Sequence, residues 1–284
     1  MAIKIVEVGP RDGLQNQPVI LPADIRAAWI NKLYEAGLRS VEVGSVVRAD
    51  RIPQMANSEE VIELINPPEG VDVGVLVPNL KGLERITNPK VNDIGVFTAA
   101  SNTFNEKNIN TNIAGSLERI RPVVEQSLSR GLKVRGTVSC IAACPYEGVT
   151  DIATIVSVCE ALYQMGCYEI VLGDTIGAGT PERIREVINA LTPSIDVSKL
   201  ALHAHDTHDN AIDNVAAALE LGVSSIDAAA AGMGGCPYAP GAKGNVSTMK
   251  VVHFCHQEGL ETGVDEGMLS IAEQFILRAI DQFS

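Results

Sequence analysis

A chain of 284 residues, 46% of them hydrophobic, has ample apolar content for one large core. A formal charge of −13, with no basic cluster, argues against nucleic acid and anionic membrane surfaces as partners. No apolar run is long and uninterrupted enough to span a bilayer, so the expectation is no membrane partner.

Met1 leads almost directly into the strand-like run Ile3-Lys4-Ile5-Val6-Glu7-Val8, so a cytoplasmic protein without a secretory leader is expected. Six cysteines without tight pairing fit a reducing compartment. Cys140 and Cys144 form C-x3-C, but no second thiol or histidine pair stands at zinc-ribbon spacing. They are expected to be buried packing residues, like Cys159, Cys167 and Cys255.

Short β-branched runs alternate with longer helical stretches eight times. The pattern predicts strands over 3–8, 40–43, 71–77, 93–97, 133–139, 169–172, 200–205 and 224–228. It predicts helices over 22–36, 58–65, 80–86, 112–129, 151–165, 181–191, 210–221 and 246–257. Pro22 and Pro181 sit near helix starts, where a missing N–H costs little. Gly37, Gly131, Gly166 and Gly222 follow helix ends, where a left-handed residue is wanted. Eight βα units predict an α/β fold, a (β/α)8 TIM barrel, with an additional C-terminal helix over 265–283. A single catalytic domain over 1–284 is expected. A doubly wound open sheet is the alternative, but no Gly-x-Gly-x-x-Gly follows the first strand.

Barrel active sites lie at the C-terminal ends of the strands. After the first strand come Arg11 and Asp12. On the second, Glu42 alternates with Val41 and Val43, so it faces the interior, where a carboxylate needs a partner. Asp174 follows the sixth. On the seventh, His203 and His205 share one face, as half of a metal site or as a hydrogen-bonded pair. The loop after the eighth holds five glycines between Gly232 and Gly244, with Cys236 and Asn245.

The first, seventh and eighth strands adjoin in a closed barrel, so Asp12, His203, His205 and Asn245 can converge on one cation. Two nitrogens and two oxygens without thiolate suit Mg²⁺ or Mn²⁺, with Zn²⁺ possible. Each residue also has a plainer use. Asp12 suits a turn and Asn245 a helix N-cap before Val246. Arg11 suits an ion pair or an oxyanion site. Cys236 suits a small buried site or acid, base or nucleophilic chemistry. Glu42 and Asp174 suit catalysis or support, such as holding Arg11.

Several segments resemble the 3-hydroxy-3-methylglutaryl-CoA lyase family. They are Val8-Gly-Pro-Arg-Asp-Gly-Leu-Gln-Asn16, Pro53-Gln-Met55, Lys107-Asn-Ile-Asn110, Ser116-Leu-Glu-Arg119, Cys144-Pro-Tyr-Glu-Gly148 and Gly173-Asp-Thr-Ile-Gly177. The loop Ala231-Gly-Met-Gly-Gly-Cys-Pro-Tyr238 matches that family's signature, with Met233 where Leu is usual. The resemblance implies a carbon–carbon lyase that cleaves an acyl-CoA substrate to acetyl-CoA and acetoacetate by a retro-aldol step. It also implies leucine catabolism, ketone body formation and a homodimer or higher homo-oligomer. By position, Asp12, His203, His205 and Asn245 would hold the cation, and Arg11 would polarise the thioester carbonyl. Glu42, Asp174 and His203 match positions required for activity. Cys236 would move a proton near the enolate, Asp12 is a candidate base, and Ser45 would contact substrate.

The chain departs from the family pattern at several points. His208-Asp209-Asn210 replaces Tyr-Gly-Gln, and the stretch from Ser45 to Ile52 lacks the usual Ser-Pro-Lys and Trp. Asn102-Thr103 replaces Ser-Glu, and Val171 replaces a Ser near the acyl group. These changes keep a related 3-hydroxyacyl-CoA open as substrate. A condensing synthase of the isopropylmalate or homocitrate type is the other alternative. Given the negative chain, Arg48, Arg51, Lys107 or Lys243 would have to offset the charge of CoA.

Overall fold

The computed structural model describes residues 2–235 and 244–284. In chain order its strands are β1 (Lys4–Glu7), β2 (Ser40–Ser45), β3 (Asp72–Leu76), β4 (Asp93–Ala99) and β5 (Lys133–Ser139). A two-residue pair, β6 (Ala143–Cys144) and β7 (Gly148–Val149), precedes β8 (Glu169–Asp174), β9 (Leu200–Ala204) and β10 (Ser225–Ala228). The order β1-β10-β9-β8-β5-β4-β3-β2 closes into a barrel whose pairs are all parallel. These strands bury both faces, which is why they read as nearly continuous apolar runs; all six residues of β8 are buried.

The helices are α1 (Ala23–Glu35), α2 (Ser58–Leu64), α3 (Leu80–Leu83), α4 (Asn102–Ile109) and α5 (Ile113–Ser129). They continue with α6 (Ile152–Met165), α7 (Pro181–Leu191), α8 (Ala211–Glu220), α9 (Thr248–Gln257) and α10 (Glu266–Phe283). Side chains cap many of the N-termini. Asn112 Oδ1 accepts Gly115 N at 2.9 Å, and Asp151 Oδ2 accepts Thr154 N at 2.9 Å. Gly37 and Gly166 adopt φ of 95° and 106° just after α1 and α6, as the left-handed helix stop requires. Helix α10 lies outside the eight βα units and packs on α1, where Asp265 N donates to Ala36 O at 2.9 Å.

Several features depart from the sequence-based elements: the short β6–β7 pair was not among the expected strands, and α3 stops at Leu83 where a helix over 80–86 was expected. Helix α4 was not expected, because its sequence is polar and has no apolar repeat. It is held by its Ser101 cap, which accepts Phe104 N at 3.0 Å, and by burial of Phe104 and Asn105. The helix expected from Val246 begins at Thr248, and Ser247 caps it, so Asn245 is not its N-cap. Cys140, Cys144, Cys159, Cys167 and Cys255 are buried, as expected of packing residues. Among the described residues, no helix is long and apolar enough to cross a membrane.

Candidate active site

The chain leaves β1 through a wide π-type turn over Gly9–Gly13. There Val8 O accepts three amides: Arg11 N at 3.1 Å, Asp12 N at 2.7 Å and Gly13 N at 3.3 Å. Gly9 is required by space, since a Cβ there would meet Glu7 Oε1 at 2.5 Å and the Trp29 ring at 3.0 Å. The turn delivers two adjacent side chains, Arg11 and Asp12, into the mouth of the barrel. Asp12 Oδ1 accepts from Arg11 Nη1 at 2.6 Å and from Gln15 Nε2 at 2.8 Å. Arg11 Nε donates to Glu42 Oε2 at 2.6 Å. Glu42 is aimed inward next to a slip in the β2–β3 register between Glu42 and Gly44.

His203 on β9 and His205 just past its end do share a face, and their Nε2 atoms lie 3.3 Å apart. His203 Nδ1 lies 3.1 Å from Asp227 Oδ2 on the neighbouring β10. That contact favours a proton on Nδ1 and leaves the Nε2 lone pair facing the site. The segment 244–246 pairs with the end of β9, with Asp206 N on Gly244 O and Val246 N on Ala204 O, both at 3.0 Å. This sets Asn245 beside Asp12, and its Nδ2 donates to Asp12 Oδ2 at 2.8 Å and Met233 O at 3.0 Å.

Donor atoms of Asp12, His203 and His205 all lie within 4.8 Å of one another. Burial alone would raise the Asp12 pKa, but the Arg11 charge and the two histidines outweigh it, so the carboxyl titrates below its usual range. Burial, then the His203 charge, lowers His205 to about 4, which keeps its imidazole neutral near pH 7. Among the described residues, Asn245 Oδ1 and His205 Nδ1 are buried without a hydrogen-bond partner. An ionised carboxylate, the neutral His205 imidazole, a His203 Nε2 turned toward the site and an amide oxygen in one cluster fit a divalent cation with nitrogen and oxygen donors.

The cluster sits in a cavity of about 620 Å³, which Arg11, Glu42, the histidines, Arg51 and Gln54 line. Residues 2–276 match the HMGL-like family model. The chain belongs to the HMGL-like family. It is 44% identical to the rat 3-hydroxy-3-methylglutaryl-CoA lyase named cytoplasmic, over 99% of this chain and 82% of that one. The crystal structure of hydroxymethylglutaryl-CoA lyase from Pseudomonas aeruginosa superposes with a TM-score of 0.96 at 42% identity, covering 98% of this chain and 93% of that one. An HMG-CoA lyase from Acinetobacter baumannii, in complex with coenzyme A and 3-methylmalate, gives 0.94 at 33% identity, covering 99% and 92%.

The family expectations map unevenly onto the site. Arg11, Asp12, Glu42, His203, His205 and Asn245 come together at one end of the barrel. Asp174 does not line the cavity; its oxygens accept Ala178 N at 3.0 Å and Gly179 N at 2.9 Å. Burial raises its pKa against those hydrogen bonds. Ser45 is also off the cavity wall, with its hydroxyl donating to Leu76 O at 3.3 Å and accepting from Val47 N at 3.2 Å. Cys236 and Lys243 lie outside the described residues. His208 is exposed in the turn before α8. Of the cations considered for CoA, Arg51 lines the cavity, Arg48 pairs with Asp50, and Lys107 stands 4.8 Å from the Tyr146 ring centroid.

Three polar residues at the site had no role assigned from sequence: Gln15 on Asp12, Asp227 on His203, and Arg135, which bonds Asp227. The signal for the last two was available, because Arg135 and Asp227 are charges inside otherwise apolar strands.

Proposed function

We infer that this protein is a divalent-cation-dependent carbon–carbon lyase that cleaves 3-hydroxy-3-methylglutaryl-CoA to acetyl-CoA and acetoacetate. The convergence of Asp12, His203 and His205 beside Arg11, in a chain of this family, carries the inference. Asn245 Oδ1 completes the proposed ligand set, and Mg²⁺ or Mn²⁺ is the proposed ion. When bound, the ion supplies Lewis-acid chemistry that lowers the pKa of the substrate's tertiary hydroxyl.

The residues then divide the work. Asp12, ionised and facing the cavity, is proposed to take the hydroxyl proton. As the C–O⁻ becomes a ketone, the bond between C2 and C3 breaks and its electron pair passes to the thioester enolate. Arg11 is held between Glu42 and Asp12, and its cationic guanidinium is proposed to steady the enolate oxygen. Cys236 is proposed to take part in protonating the enolate carbon to give acetyl-CoA. Glu42 is proposed to keep Arg11 aimed, and Asp174 to support the site by fixing the turn after β8. Ser45 is proposed to act from behind the wall, holding the lining residues Leu76 and Val47 through their backbones.

The CoA-bound relative supports an acyl-CoA substrate. The products support a place in leucine catabolism and ketone body formation. Relatives are named both cytoplasmic and mitochondrial; the cytoplasm is the compartment proposed here. Ile271 and Leu277, each 50% exposed on α10, are in keeping with a homodimer or higher homo-oligomer, which sedimentation tests. The deciding assay supplies 3-hydroxy-3-methylglutaryl-CoA and Mg²⁺ and identifies products by mass spectrometry. Acetoacetate and acetyl-CoA in equal amounts are expected; an unconsumed thioester would sink the reading. A panel of other 3-hydroxyacyl-CoA thioesters in the same assay tests for the related substrates.

A further inference from the structure

The barrel interior contains a buried chain of charges that the lyase chemistry above does not use. Arg135, on β5, is 9% exposed and pairs with two carboxylates. Its Nε donates to Glu169 Oε2 on adjoining β8. Its Nη2 donates to Asp227 Oδ1 on β10 at 2.7 Å. Strands β8 and β9 lie between β5 and β10, so this second bond crosses the lumen instead of following the sheet.

Asp227 is pinned at both ends. Oδ1 takes Arg135, and Oδ2 faces His203 Nδ1 at 3.1 Å. Asp227 and His203 are also register partners, so the contact needs no long side chain. A buried carboxylate without a cation is costly, and Arg135 provides one with a planar fork that fixes direction as well as charge. Lys4 Nζ, at 3.5 Å from Glu169 Oε1, closes the far end from β1.

We propose that Arg135, anchored by Glu169, acts through Asp227 as a positioning residue that fixes the ring orientation and tautomer of His203. The proposal rests on the assignment of His203 as a cation ligand. A carboxylate behind a ligating imidazole keeps the proton on the distal nitrogen and directs the other lone pair at the ion. Here the carboxylate is itself held from across the barrel. Rotation of the Asp227 carboxyl would turn the His203 ring and break its shared face with His205.

Two variants and two readouts test this. Asp227→Asn keeps shape and removes the charge. The pair Arg135→Met with Glu169→Gln removes one positive and one negative charge together, which avoids leaving Lys4 as the only cation beside a buried Glu169 carboxylate. Both proteins are checked for an intact circular-dichroism spectrum and a cooperative melt. Mn²⁺ affinity, measured by calorimetry, is expected to fall about 10–100-fold in Asp227→Asn, and about tenfold in the double variant. In metal-free, ¹⁵N-histidine-labelled protein held at a pH where the His203 ring is neutral, the wild-type His203 is expected to be the Nδ1–H tautomer, and both variants a mixture.

Folded variants with wild-type Mn²⁺ affinity and an unchanged tautomer would overturn the proposal. If Asp227→Asn responds and the double variant does not, Arg135 has no part in positioning and that half falls. Failure of the wild type to bind Mn²⁺ would overturn the ligand assignment itself, a separate and distinguishable result.

Discussion

Arg11 and Asp12, consecutive in the chain, form an ion pair of 2.6 Å between Nη1 and Oδ1 while both face the same cavity. Neighbours on a strand point to opposite faces, so this pairing depends on the π-type turn gathered on Val8 O. The turn puts a fixed cation and a proposed cation ligand side by side. Replacing Arg11 with Gln should therefore separate chemistry from metal binding. A fall in kcat of about 10²–10³-fold is expected, the range for losing one oxyanion donor, with Mn²⁺ affinity preserved within a fewfold. Steady-state kinetics and calorimetry on the same preparation check it.

Asn245 contributes differently, through an oxygen that nothing in the described chain satisfies. Asn245→Ala should weaken Mn²⁺ binding. It also removes the donor on Asp12 Oδ2, so the Asp12 pKa should rise toward its usual range and metal binding should fall off at a higher pH than in the wild type. Calorimetric titrations at several pH values read both effects.

Glu7 offers a pH test away from the cation cluster. It is fully buried; Oε1 accepts Gly9 N at 2.8 Å and Ala230 N at 2.9 Å, and Oε2 accepts the Thr248 hydroxyl at 2.6 Å. Burial raises its pKa from 4.5 to about 7 in spite of these donors. The folded state therefore keeps a proton that the unfolded chain has released between those values. The associated stability is fully present below pH 4.5 and is lost as pH rises to about 7, worth roughly 3 kcal/mol. Glu7→Gln cannot titrate, so its melting temperature should drop less than that of the wild type between pH 4.5 and 7. Parallel melting curves for the two proteins would expose the idea as wrong.

Cys236→Ala should abolish most turnover, by about 10²–10⁴-fold if the thiol moves a proton, while Mn²⁺ affinity stays unchanged. Near-normal activity in that variant would remove the thiol from the chemistry.

The eight strands were legible as short apolar runs, four of them just after the helix-stop glycines Gly37, Gly131, Gly166 and Gly222, and their order put Asp12 near the histidines. Helix α4 was illegible for the opposite reason: a cap and two buried side chains hold it, not an apolar stripe. At the site, residue types and their strand ends were readable, but partner choice was not. Glu42 could be placed facing inward, yet only coordinates show that it grips Arg11 at 2.6 Å. Asp174 looked equivalent to Glu42 from its strand position, but the glycine-containing turn after it folds back and takes both its oxygens. Asp227 is hard to single out from sequence because β10 is only four residues long and its other members are small or apolar. A strand lying between the two that carry the ligands is where an inward charge should have been sought.

The contact between Asp12 and Asn245 joins positions 233 residues apart. A chain emerging from the ribosome therefore presents Asp12 early but has no Asn245 to offer it until about six-sevenths of the sequence has been made. Local helices and neighbouring strand pairs can form earlier, whereas this closure waits for the last barrel strand. Metal capture would then report that synthesis and barrel closure are both complete. A nascent chain stalled before β10 should be blind to Mn²⁺ even when most of its secondary structure is in place.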